Sequence, residues 1–162
     1  MTLVSKKSRY ALHGLAYLAA SGLERTVSFD EILAYLKAYS QQLTLSPGYI
    51  AKIFQKVSRA GLIEAVPGPH GGYRLARAAD SIRLVEVVHA LEGPLFNDCC
   101  LLSVGTCARQ DVCGVRDVIR EAEEQFASFL ERETIASVAA RMRFPDEEEI
   151  SRYRGATGVA TG

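Results

Sequence analysis

A mainly α-helical chain carrying one small β-hairpin is what this 162-residue sequence predicts. Three observations lead there. Apolar residues recur at helical spacing in five stretches. A glycine- and proline-rich break, Pro67-Gly68-Pro69-His70-Gly71-Gly72, separates two short runs of strand character. About 48% of the residues are apolar, enough for a core. No run approaches the eighteen apolar residues of a membrane span.

The first helix is expected over residues 5–21, where Leu12, Leu15, Ala16 and Ala19 share one face and Gly22 stops it. The segment Ser28-Phe29-Asp30-Glu31 has the form of a capping box. It opens a second helix with Phe29, Ile32, Leu33 and Leu36 as its buried stripe, and the polar stretch from Lys37 to Thr44 loosens that pattern. Ser46-Pro47 opens a third, with serine as N-cap and proline in the first turn, where its missing N–H costs nothing. Ile50, Ile53, Phe54 and Val57 form its apolar face, and Gly61 ends it. The segments Leu62–Val66 and Tyr73–Arg77 are the expected strands. A short fourth helix follows over 84–91. A longer one begins at Gly114, with Val115, Val118, Ile119, Ala122, Phe126 and Phe129 along one seam.

Helix, helix and hairpin in this order, with a basic third helix, give a winged helix-turn-helix. The third helix is then expected in a major groove of double-stranded DNA, with the hairpin tip beside the backbone. Lys52, Lys56, Arg59 and Arg74 are the candidate phosphate contacts, and Tyr49 and Gln55 the candidates for base edges or sugar. Charge agrees. Residues 1–90 carry eleven Lys/Arg against six Asp/Glu, whereas the remainder carries eight against thirteen. The basic half suits phosphate binding. The seam after Gly114 suits pairing with a second copy.

All four cysteines lie between Cys99 and Cys113, in a stretch without periodicity. Clustered thiols point to a metal site or redox chemistry rather than a disulfide framework. Cys100, Cys107 and Cys113 lack the short C-x2-C pairs usual for zinc. Their wider spacing suits an iron–sulfur cluster, with a thiol switch, zinc or inert thiols as the alternatives. No Ser/His/Asp set, phosphate loop or carboxylate pair is present, and His13, His70 and His89 are scattered, so no enzymatic activity is expected. The N-terminal residues lack a secretory leader before Lys6, Lys7 and Arg9, which sets a cytoplasmic expectation.

Several motifs together resemble the IscR/NsrR-type family of bacterial winged-helix regulators. They are Arg9-Tyr10-Ala11-Leu12, Tyr17-Leu18-Ala19, Ser46-Pro47-Gly48-Tyr49-Ile50, Ala60-Gly61-Leu62 and Gly68-Pro69-His70-Gly71-Gly72-Tyr73-Arg74-Leu75. The stretch from Leu84 to Gly93 and the three-cysteine spacing complete the set. The resemblance implies a homodimeric repressor on a palindromic operator. It implies a 2Fe–2S or 4Fe–4S cluster on Cys100, Cys107 and Cys113 that answers redox state, nitric oxide or iron supply. It also implies DNA contacts from Ser46, Gly48 and Tyr49, with His70 and Gly71 at the wing tip. Three departures stand out. The positions that supply a fourth cluster ligand in family members hold Arg116 and Arg9 here, so the resemblance leaves His13 as the first substitute, with Asp98, Asp111, a small thiol or another nonprotein ligand as alternatives. Some six or seven extra residues lie between Ile32 and Ser46. Ala51 stands where some members carry a glutamate.

The expected organisation is therefore a DNA-binding domain over 1–93, a cysteine loop over 94–113, a dimerisation helix region over 114–144 and a disordered tail over 145–162.

Overall fold

Three serines set the frame of the fold. In the computed structural model, which describes residues 4–41, 45–93 and 112–154, each precedes a helix and accepts a backbone N–H from three residues on. Ser5 caps α1 (Lys6–Ser21) through Ser8, Ser28 caps α2 (Phe29–Ser40) through Glu31, and Ser46 caps α3 (Pro47–Arg59) through Tyr49. Each bond satisfies one of the amides that a helix start leaves without a partner. The Glu31 carboxylate is taken up by the Tyr17 hydroxyl and the Arg25 guanidinium, both at 2.8 Å.

Gly61, at φ 72°, reverses the chain after α3. It leads into β1 (Ile63–Val66), which pairs antiparallel with β2 (Gly72–Leu75) in the register Glu64↔Arg74. Tyr73 also exchanges two backbone hydrogen bonds with Val27, of 2.8 and 2.9 Å, tying the hairpin to the segment before α2. A 3-10 turn at Ala79–Ser81 then leads into α4 (Leu84–Glu92). Leu15, Leu18, Ile32, Leu36, Ile50, Phe54, Leu62, Ile82 and Val88 meet in one core, each at most 1% exposed. Gly14 lets α1 and α3 approach: a Cβ there would lie 2.5 Å from the Phe54 ring.

The structure departs from expectation in three places. First, α2 continues through the polar stretch to Ser40, with Gln41 left-handed at φ 52°. Its last turns are held by long-range packing, since Tyr35 is wholly buried and Tyr39 lies against His13. Part of the extra length before Ser46 is therefore helix.

Second, the region 114–144 is not a single dimerisation helix. After α5 (Gly114–Arg132) the chain breaks at Glu133 and forms α6 (Ile135–Ala139), which packs on α1. Backbone bonds Leu84 N–H to Glu133 O (3.0 Å) and Ile135 N–H to Ile82 O (2.9 Å) stitch this return to the start of α4. Third, the expected disordered tail is ordered as far as Arg154. Asp146 and Glu149 close a capping box on α7 (Glu147–Ser151), Ile150 is 2% exposed, and Arg154 pairs with Glu147 at 2.9 Å. One buried isoleucine in an acidic stretch leaves no periodic trace in the sequence. Among the described residues, no helix is long and apolar enough to cross a membrane.

Candidate nucleic-acid interface and cysteine region

The two faces of α3 separate cleanly. Ile50, Ile53, Phe54 and Val57 point into the core, while Tyr49, Lys52, Gln55, Lys56 and Arg59 are exposed, as are Ser46 and Gly48 at its start. Helical periodicity alone produces this division, because 50, 53, 54 and 57 fall on one stripe. No carboxylate among the described residues pairs with Lys52, Lys56 or Arg59. The start of α3 is flanked by α1, where the Tyr10 ring meets Tyr49 edge-on at 6.4 Å and Lys6 lies 5.8 Å above Tyr10. Sequence reading missed this flank. Tyr10 is itself buried and Lys6 exposed, and their link to the start of α3 exists only once α1 and α3 meet.

The wing tip is a tight turn closed by Gly71 N–H to Gly68 O at 2.9 Å. A Cβ on Gly71 would collide with the Val66 and Gly68 carbonyls, so the turn requires glycine there. This leaves His70 exposed at the tip. Arg74 differs from the other candidate contacts. It faces Glu64 across the hairpin and is bound to it at 3.0 Å, so its charge is already compensated.

Of the cysteines, Cys113 is a free, half-buried thiol immediately before α5. Cys100 and Cys107 lie outside the described residues. His13 has a buried Nδ1 with no hydrogen-bond partner, and its ring sits 4.1 Å from that of Tyr39. Burial, with repulsion from Arg9, holds its pKa below the ordinary histidine value and keeps the ring neutral near pH 7. Among the described residues, no three His, Cys, Asp or Glu side chains are grouped so as to hold a metal ion.

The expected dimer seam is uncovered in the single chain. Val115 and Val118 are 62% and 68% exposed, Ala122 and Phe129 are exposed, and Ile119 and Phe126 are half-buried. Of the nineteen residues of α5 only Leu130 is buried.

An exposed basic helix beside a glycine-built wing is a DNA-reading arrangement, and comparison with known proteins identifies its lineage. Residues 4–141 match the family model described as Rrf2, iron-dependent transcriptional regulator. The chain belongs to the Rrf2 family. As an Rrf2-family member it is a DNA-binding transcriptional regulator. It is 43% identical over 89 residues to the HTH-type transcriptional regulator IscR of Cereibacter sphaeroides, a match spanning 55% of this chain and 54% of that relative. Among solved structures it resembles T. potens IscR, with a TM-score of 0.61 and 26% identity over 88% of this chain and 93% of the other. It also has the fold of CymR (YrzC), the global cysteine regulator of B. subtilis. That likeness has a TM-score of 0.68 at 24% identity, covering 88% of this chain and all of that one.

Proposed function

We propose that this Rrf2-family chain acts as a homodimeric repressor whose affinity for a palindromic operator is set by an iron–sulfur cluster. Cys100, Cys107 and Cys113 would hold the cluster as thiolates, the donor type such clusters take. The observation carrying this reading is the place of Cys113, directly before a nineteen-residue helix whose apolar seam is uncovered. A group bound there abuts the element that sets the spacing of two DNA-binding halves. Bound at these thiols, the cluster would supply sensitivity to oxidants, nitric oxide or iron supply.

The chain's own residues do the rest. Val115, Val118, Ile119, Ala122, Phe126 and Phe129 pair the two copies, so that two α3 helices meet half-sites about one helical turn apart. Lys52, Lys56 and Arg59 neutralise phosphates. Ser46 and Gly48 bring the start of α3 to the groove, where Tyr49 and Gln55 meet bases or sugar. His70 and Gly71 follow the neighbouring backbone, while Arg74 contributes only if it leaves Glu64.

Anaerobic purification with iron, sulfide and visible absorption tests the cluster, and operator binding across salt concentrations tests the DNA face. Cys107→Ser is expected to abolish the absorption and change operator affinity. Lys52→Ala and Lys56→Ala should each lower the salt slope by about one. Colourless wild-type protein overturns the cluster. If its operator affinity then changes on thiol oxidation, a cluster-free thiol switch is the reading to adopt.

A further inference from the structure

One face of α1 carries Lys6, Arg9, Tyr10 and His13, spaced i, i+3, i+4 and i+7. Opposite it, the last turns of α2 present Leu36, Tyr39 and Ser40. Between them lies a cavity of about 210 Å³. Its far wall belongs to the stretch in which this sequence is longer than the IscR/NsrR-type pattern, since Tyr39 and Ser40 sit where the extra residues lengthen α2.

The lining is chemically one-sided. Lys6 and Arg9 stand at the cavity with no carboxylate partner among the described residues, and no acidic residue lines it. Arg9 also repels the charged form of His13. Two uncompensated cations near a neutral imidazole favour an anion at this point. The His13 ring forms part of the lining, with its Nδ1 turned out of reach of solvent. Tyr39 supplies an apolar ring beside it. Charge and aromatic wall converge on one small space, as in ligand sites generally.

We propose that the α1–α2 cavity is an effector site for a small organic anion, a carboxylate or phosphate ester. Its charge lies against Lys6 and Arg9, and its body rests on Tyr39 and the His13 ring. Tyr10 also lines the cavity and carries its ring to Tyr49 at the start of α3, so occupancy is felt at the DNA-reading helix. The proposal assigns His13 to this site and not to the cluster.

Phenyl phosphate is the probe, with inorganic phosphate for the charge alone, titrated calorimetrically into the anaerobic full-length protein. Saturable binding of phenyl phosphate with a Kd of about 1 mM or tighter is expected. Arg9→Gln and Tyr39→Ala, both on exposed side chains, should each weaken it about tenfold. His13→Ala should weaken probe binding and leave the visible absorption of the holoprotein unchanged. Absence of saturable binding, or binding indifferent to Arg9→Gln and Tyr39→Ala, overturns the proposal. So does a changed absorption spectrum in His13→Ala, which makes His13 a cluster ligand. A lowered DNA salt slope in Lys6→Gln and Arg9→Gln without any probe binding also overturns it, since those cations then serve DNA phosphates. The cluster reading fails by iron content and this one by calorimetry, so the two failures are distinguishable.

Discussion

In the α1–α4 body and in α5, helices with similar shares of apolar residue, six of thirteen in α3 and eight of nineteen in α5, reach opposite outcomes. In the body, α3 turns Ile50, Ile53, Phe54 and Val57 into a core shared with α1, the hairpin and α4. In α5, Val115, Val118, Ala122 and Phe129 stay exposed, Ile119 and Phe126 are half-buried, and only Leu130 is buried. Most helical stability in proteins comes from burying an apolar face. The pairs Arg120–Asp117 and Arg120–Glu124 on α5 are exposed and add little. The body buries its own apolar faces, whereas most of the α5 seam is uncovered in the single chain. Beyond it, α6 returns to α1 and anchors the far end of α5 to its own chain.

Three substitutions would break or sharpen this contrast. The largest effect is expected in the body. Phe54→Ala empties the space against Gly14, and a loss of about 3–5 kcal/mol follows for a buried phenylalanine. Thermal unfolding should fall by about 10 °C or more. A change within a degree or two would mean that α3 is less central than its burial indicates.

The next effect belongs to α5. Val118→Glu puts a charge on the uncovered seam, so the dimer dissociation constant should rise about thirtyfold or more in sedimentation or light scattering. Arg120→Ala, off that seam, serves as the control. If Val118→Glu leaves assembly unchanged, the seam is not the pairing surface and the proposed dimer needs another one.

The smallest effect lies where α1 meets α4. Glu92 accepts from the Ser5 backbone N–H at 3.1 Å and from the Ser8 hydroxyl. Partial burial alone would raise its pKa, but the hydrogen bonds from Ser8 and Ser5 hold it below the ordinary carboxylate value. The folded state thus binds this proton less readily than the unfolded chain. The stabilisation is present above the ordinary carboxylate pKa and lost as pH falls through the lowered one. Glu92→Gln should lower the melting temperature by about a degree or two at neutral pH, with the difference closing in acid. A pH-independent difference would point to packing instead.

Much of the fold and of the DNA face could be read from the chain. Ser28 and Ser46 cap where expected, Gly61 and Gly71 turn where expected, and every charged residue predicted on the outer face of α3 is exposed. The cation at Arg74 read as a phosphate contact but is paired, since Glu64 becomes its neighbour only once the hairpin register exists. The place of His13 was not readable either. Its surroundings come from Tyr39, twenty-six positions away, on a turn of α2 whose polar composition argued against helix.

The division follows from the range of the forces involved. Caps, stripes and glycine turns depend on residues within a turn or two, so the sequence by itself determined the winged helix and the charged face of α3. The extension of α2, the return of α6 and the docking of α7 through Ile150 depend on contacts between distant segments. So does the cavity between α1 and α2. No periodicity records such contacts, and only the tertiary structure decided them. Tertiary packing also left most of the α5 seam uncovered, although its spacing would equally have suited packing inward.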